Sequence, residues 1–308
     1  MAECRYYRVA DHLFAVSADE KLFARMTNYE PFLVPQDEVK DKPLVFRLNV
    51  MPEQWQPVGL VPVFTDSSDD DMPRIEVSRI NGSDWFFAVA PLKNAPVACH
   101  LHALSDFSQA WLYMSDPDSL FAINNAAMLL YAFATAPLGT LEMHAAVVVR
   151  NQLGYLFLGK SGTGKSTHAS LWQKAFPEAW LLNDDNPVIR LLSRTGADGS
   201  TVQYVRVYGS PWSGKTPCYK NLSAPVGAVV KLSQAPHNEA RRLRLPEAYA
   251  YMLSSASGLK IEPAMMDALY STISRMLAVM PVFHLDCLPD TEAASVCAQA
   301  VTPPMCAD

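Results

Sequence analysis

The run GKSGTGKS, Gly159 to Ser166, has the spacing GxxxxGK[ST], and each residue type in it suits the holding of a phosphate. Glycines let the backbone wrap close to phosphate oxygens, and amides at the start of a following helix point their partial positive charge inward. On this reading Gly159, Lys160, Ser161, Gly162, Thr163, Gly164, Lys165, Ser166 and Thr167 form a nucleotide cradle. Lys165 would reach the β- and γ-phosphates of ATP, and Ser166 would offer its hydroxyl to Mg²⁺. An acid pair, Asp184 and Asp185, follows. One carboxylate beside a bound triphosphate can hold Mg²⁺, and the other can take a proton from an attacking hydroxyl. Asp184 joins Ser166 as a metal candidate, and both aspartates stand as candidates for the base. Two like charges side by side raise one of their pKa values, which suits that task.

These residues act together only if the chain brings them to one place. Two apolar runs, 145–149 and 155–159, flank the turn NQLG and predict antiparallel strands, the second climbing into the glycine-rich loop. KSTHASLWQKAF predicts a helix closed by Pro177, and AWLLNDD a strand. The helix runs roughly 16 Å away from the loop and the strand returns about as far. Asp184 and Asp185 are therefore expected at the loop's own edge of the sheet. His144, at the start of the hairpin, is expected there too, facing the phosphates, with a satisfied strand-end histidine as the alternative. Strands at 202–208, 227–232 and 282–288 and helices near 246–255, 263–279 and 290–300 complete an α/β nucleotide-binding domain. The methionines of the 263–279 helix read as core or an oligomer surface.

Ahead of it, YYRVA, LVFRLNV, RIEVSRI and DWFFAVAP are short β-rich pieces, separated by an acidic, solvated loop at TDSSDDDMP. A buried helix at about 118–136 links this smaller, sheet-rich domain (1–138) to the nucleotide-binding domain (139–308). The apolar stretch in that helix is shorter than the roughly 18 residues of a membrane span. The 308 residues are 50% hydrophobic, enough for substantial cores, and the net charge of −6 gives no general attraction to nucleic acid or anionic membrane. Six cysteines carry neither a CxxC pair nor a close histidine partner, so they read as reduced thiols. The N-terminal MAECRYYRVADHLF has charges where a signal peptide needs an apolar run. The expectation is a soluble, cytoplasmic protein with no nucleic-acid or membrane partner.

A loop, YGSPWSGKTP, lies beyond the acid pair. Trp212 is a candidate to stack on a substrate ring and Lys215 to meet an anionic oxygen, against the plainer reading of a β-turn with a covering tryptophan. Arg206, on the preceding strand, is a candidate for transition-state charge. His168, one turn into the helix, reads as solvated or packed, with a functional role as the alternative.

MHAAVV, GKSGTGKS and LLNDD, taken together over residues 141–232, resemble the kinase domain of HPr kinase/phosphorylase and, more distantly, phosphoenolpyruvate carboxykinase. The resemblance implies a carboxykinase-like P-loop kinase domain, with a mixed, β-rich core and flanking helices, unlike the parallel sheets of most P-loop proteins. It implies Lys165 on the phosphates, Ser166 on magnesium, one of Asp184 and Asp185 as base, and His144 beside the acceptor modulating proton movement. Two departures argue against HPr itself as acceptor. Thr167 stands where those kinases carry an acidic residue, and VRVYGSPWSGKTP replaces their Glu-Ile-Arg-Gly signature. The expected activity is an ATP- and Mg²⁺-dependent kinase acting on a serine-like hydroxyl of a protein, peptide or small molecule, and the resemblance to the HPr kinases, which form oligomers, makes a homo-oligomer a candidate assembly. The competing expectation is a degenerate, ATP-binding regulator. Hydrolysis powering motion fits less well, because no sensor-like element accompanies the acid pair.

Overall fold

The computed structural model of the chain describes residues 3–53, 55–66, 73–196, 199–214 and 216–302. The chain is mixed α/β and divides into two compact units, Met1–Thr135 and Ala136–Asp308, rather than at 138/139. Most of the acidic loop expected at TDSSDDDMP lies outside the described residues, as does Lys215.

The first unit is built on one nine-stranded sheet. Its strands are β1 (Glu3–Val9), β2 (His12–Ala18), β3 (Leu33–Val34), β4 (Phe46–Met51), β5 (Val61–Asp66), β6 (Arg74–Ile80), β7 (Asp84–Ala90), β8 (Cys99–Ala103) and β9 (Gln109–Met114), in the order β3-β1-β2-β4-β9-β8-β7-β6-β5. Two short helices, α1 (Glu20–Arg25) and α2 (Gln36–Val39), sit among them. Period-two alternation sets the faces: Cys99, Leu101 and Ala103 of β8 are buried while His100 and His102 are not fully covered. Helix α3 (Leu120–Thr135) lies against β4 and β9. Its Tyr131 hydroxyl donates to the Val9 carbonyl at 3.0 Å. With a short 3₁₀ turn added, Leu120–Leu138 reaches 19 residues with a mean hydropathy of 1.3 in its most apolar window. It is therefore long and apolar enough to cross a membrane, contrary to the expectation from its apolar stretch. That window is 56% buried within the protein, as a core helix also is.

The second unit carries β10 (Thr140–Glu142), β11 (Ala145–Arg150), β12 (Leu153–Leu158), α4 (Lys165–Ala175), β13 (Trp180–Asn183), β14 (Val188–Thr195), β15 (Thr201–Tyr208), β16 (Ser223–Gln234), β17 (Glu239–Arg242), α5 (Leu245–Ser255), α6 (Pro263–Leu277), β18 (Val282–Cys287) and α7 (Thr291–Val301). The β11–β12 hairpin forms as expected but turns on Asn151 and Gln152, both at positive φ (50° and 63°), the requirement of a two-residue turn that matches strand twist. β11 pairs antiparallel with β12 on one side and β13 on the other, while β12, β16 and β18 run parallel. Helices α4 and α7 cover one face around a core that includes Val148, Phe157, Trp172, Val230, Leu285 and Cys297. Trp172 is fully buried, and burying an aromatic of this size contributes about 3 kcal/mol. The methionines of α6 divide as a core helix requires, with Met265 and Met276 buried beside Leu269 and Ile273.

Candidate active site

Because β12 and β13 both end at the same edge of the sheet, the glycine-rich loop and the acid pair are brought together there. The loop leaves Leu158 and enters α4 at Lys165 through Gly164, whose φ of 106° no residue with a Cβ adopts comfortably. No side chain caps α4, and its first turn holds no acidic residue. The amides of that turn thus keep their hydrogen-bonding capacity for an anion. Lys165 Nζ donates to the loop carbonyls of Gly159 at 3.0 Å and Lys160 at 3.4 Å. Ser166 and Thr167 follow it on the exposed side of the helix.

The acid pair is fixed by a residue to which the sequence reading assigned no role. Asn183, fully buried at the end of β13, accepts through Oδ1 from the amides of Asp185 and Asn186, both at 2.9 Å. Its Nδ2 donates to Ser210 Oγ at 3.2 Å and to the Trp212 carbonyl at 3.0 Å. The asparagine in LLNDDN is the signal, since such side chains close turns on the backbone two and three residues ahead. From the other side, the Ala145 amide donates to the Asp185 carbonyl at 2.9 Å. His144 is held by its own amide on the Ser255 carbonyl at 2.8 Å, and its Nε2 lies 3.4 Å from Asp185 Oδ1.

The two aspartates meet different surroundings. Asp184 is 3% exposed; its Oδ2 accepts from the Thr216 amide at 3.3 Å, and its buried Oδ1 has no partner. A Cβ on Gly214 would stand 3.2 Å from both the Asp184 carbonyl oxygen and Asp185 Cβ, so the chain at Gly214 passes the acid pair too closely for a larger residue to fit easily. Asp185 Oδ2 accepts from Asn186 Nδ2 at 3.0 Å.

Burial raises the pKa of Asp185, while His144, Lys165 and the bond from Asn186 pull it down and Asp184 adds the smallest push. Like-charge repulsion, the expected lever, is therefore secondary to desolvation. Burial lowers the pKa of His144; Lys165 adds to that and Asp185 opposes it. Burial also lowers the pKa of Lys165, against Asp185 and Asp184. The arrangement is a neutral imidazole, an ammonium and a carboxylate of raised proton affinity around one point.

Glu142, two residues before His144, is fully buried, and neither of its oxygens reaches a partner of regular geometry. Burial pushes its carboxyl up to about 8, the nearby Ser257 hydroxyl pulls against this, and Asp185 adds to it. The chain thus keeps a protonated carboxylic acid beside Asp185. Nothing in LEMHAA announces it, because a glutamate in a short strand reads as exposed.

The remaining predicted residues are not brought into this group. Arg206 Nε donates to Ser223 Oγ at 2.8 Å across β15 and β16, and its charge is not among those acting on Asp185 or Lys165. Trp212 is 3% exposed, so its backbone carbonyl rather than its ring serves the site, and the covering role is the one it takes. His168 is packed: its ring meets Phe157 edge-on at 4.7 Å, and its Nε2 accepts from Trp172 Nε1 at 3.1 Å. Burial pushes its pKa down to about 4.

Among the described residues, no group of three His, Cys, Asp or Glu side chains could hold a metal ion. The site fits a magnesium ion of a different kind, one held by one or two protein oxygens and by phosphates. The buried, unpartnered Asp184 Oδ1 is an oxygen of that type, and the Ser166 hydroxyl on the first turn of α4 is a second. No family model matches the chain, and no curated protein matches it.

Proposed function

We propose that the chain is an ATP- and Mg²⁺-dependent phosphotransferase that moves the γ-phosphoryl group to a hydroxyl, with an HPr-kinase-like nucleotide-binding unit at residues 136–308. The observation that carries this reading is the His144–Asp185 pair, 3.4 Å apart, on the same sheet edge as an uncapped helix start and Lys165. A phosphate-binding loop alone accounts for neither a base of raised pKa nor the neutral imidazole beside it.

In this mechanism the amides of the 159–167 loop and Lys165 orient the triphosphate and stabilise charge on its β and γ oxygens. Ser166 Oγ and Asp184 Oδ1 would hold Mg²⁺, which when bound supplies further neutralisation of the phosphate oxygens. Asp185 accepts the proton of the acceptor hydroxyl as its oxygen bonds to the γ-phosphorus and the bond to the β-phosphate oxygen breaks, leaving ADP. His144 holds the Asp185 carboxylate in place and limits its protonation.

The test is incubation of the full chain with γ-labelled ATP, Mg²⁺ and fractionated lysate or candidate serine peptides and hydroxyl metabolites. Label transfer that Asp185→Asn abolishes, with ATP binding retained, supports the reading. Tight ATP binding without transfer to any acceptor would instead favour the nucleotide-sensing regulator.

A further inference from the structure

The sheet of the second unit continues past the phosphate-binding loop on the side opposite the acid pair, in the order β13, β11, β12, β16, β18. Leu158, the last residue of β12, is level with Lys231 of β16, and β16 runs on for three residues to Gln234, which is level with Cys287 of β18. Three residues of strand extend about 10 Å. The ends of β16 and β18 therefore stand up as a wall beside the loop. Gln234 ties this wall to the loop, its Nε2 donating to the carbonyls of Gly162 at 3.3 Å and Thr163 at 3.5 Å.

Between that wall, the loop and α4 lies a cavity of about 350 Å³. Leu171, Leu232, Leu288 and Pro289 line it, and no lysine or arginine does. Gly162, Thr163, Gly164 and Thr167 of the loop and helix start line it too; the four apolar side chains offer a phosphate chain nothing and a flat apolar group a seat. Thr163, Thr167, Gln234 and His168 are its polar lining. His168 borders the cavity and is 2% exposed. An indole N–H can only donate, so the 3.1 Å bond from Trp172 Nε1 requires a lone pair on His168 Nε2. The ring is therefore neutral with its hydrogen on Nδ1, and that buried Nδ1 has no partner. The unsatisfied donor belongs to a residue that borders the cavity, and a ligand acceptor there would satisfy it.

We propose that this cavity holds the nucleoside half of the bound nucleotide, its heteroaromatic base between Leu171, Leu232, Leu288 and Pro289 and an acceptor atom on His168 Nδ1–H. The proposal rests on the phosphotransferase reading for the position of the triphosphate. The acid pair lies two strands to one side of β12 and β18 lies two strands to the other, a span of about 19 Å at ordinary strand spacing. A nucleoside triphosphate laid across the loop fits that span lengthwise, with the γ-phosphate toward Asp185 and the base toward Leu288.

Cys287, at the end of β18, lines the same cavity as a free thiol and serves as a reporter. Binding of MgATP and of magnesium tripolyphosphate is measured by calorimetry on the full chain and on Leu288→Trp. Alkylation of Cys287 by iodoacetamide is followed in parallel by peptide mass spectrometry. The expected result is that Leu288→Trp weakens ATP by at least about tenfold while tripolyphosphate is unchanged, a loss on the scale of one blocked apolar contact surface. ATP, but not tripolyphosphate, should slow Cys287 alkylation severalfold. His168→Phe, which keeps the packing on Phe157, should lower ATP affinity alone. ATP that binds well while Leu288→Trp has no effect and Cys287 reacts at an unchanged rate overturns the cavity assignment and leaves the phosphate site standing. Failure of both ATP and tripolyphosphate to bind overturns the phosphotransferase reading, and this proposal with it.

Discussion

Two of the chain's aspartate–histidine pairs, one in each unit, are built differently. In the first, His102 Nε2 lies 3.0 Å from Asp84 Oδ2 on neighbouring strands, with the rings of Trp55 at 5.6 Å and Trp111 at 5.1 Å packed on the imidazole. In the second, His144 and Asp185 stand at strand ends, 3.4 Å apart, with the charge of Lys165 acting on both and that of Asp184 on Asp185. The closer pair is the one wrapped in aromatic rings on a sheet face. The looser pair is the one surrounded by charges, on the sheet edge that carries the glycine-rich loop. Proximity of the two side chains is thus not what separates the pairs; the charged groups gathered around His144 and Asp185 are.

Removing the carboxylate of each pair probes this contrast most sharply. Asp185→Asn is expected to lower phosphoryl transfer by about 10²–10⁴-fold, the usual contribution of a positioned base, with ATP affinity nearly unchanged in calorimetry. Because burial raises the pKa of Asp185, the wild-type rate should fall on acidification at a pH above the ordinary aspartate range, since only the deprotonated form accepts a proton. A rate independent of pH through the mildly acidic range would count against Asp185 as the base.

Asn183→Ala strips four hydrogen bonds from a fully buried position. It should destabilise the chain by about 3 kcal/mol in denaturant melts and reduce transfer as the acid pair loosens. Glu142→Gln changes a slope rather than a level. Below the unfolded pKa of about 4.5 both states hold the proton. As pH rises toward the folded value of about 8, the folded chain keeps a proton that the unfolded chain gives up. Stability should therefore decline by about 1.4 kcal/mol per pH unit across that window, and the glutamine variant should lose that decline. Asp84→Asn is the smallest change: about 1 kcal/mol or less in stability and no loss of transfer. A large fall in transfer here would erase the distinction between the two pairs.

The parts of the site that the sequence made legible are those whose signal is local or set by element length. GKSGTGKS announces its loop, and a hairpin, a helix and a returning strand of matched length carry His144, Asp184 and Asp185 to the same edge. The residues that escaped take their roles from partners far along the chain. Asn183 bonds to residues 27 and 29 positions later. Arg206 is bonded to Ser223 on the adjacent strand, and the burial of Trp212 depends on packing that YGSPWSGKTP does not encode by itself. Strands were missed for a related reason: β10 is three residues long and β17 four, too short for a period-two pattern, and β14 grades from buried to exposed along its length. In the first unit, β8 and β9 were missed although both alternate cleanly, since histidines and tryptophan on their outer faces blur the contrast between apolar and polar positions.

The bonds of Asn183 have a kinetic meaning as well as a structural one. Both acceptor and donor ends of its amide are satisfied by the chain itself, so the turn bearing Asp184 and Asp185 is set by the fold. On the proposed phosphotransferase reading, reorganisation of the acidic edge would be completed once, when the chain folds, and not repeated in every turnover. On that reading the acceptor would bring its hydroxyl to a stationary base, and selectivity among hydroxyl compounds would be a matter of which ones can reach it.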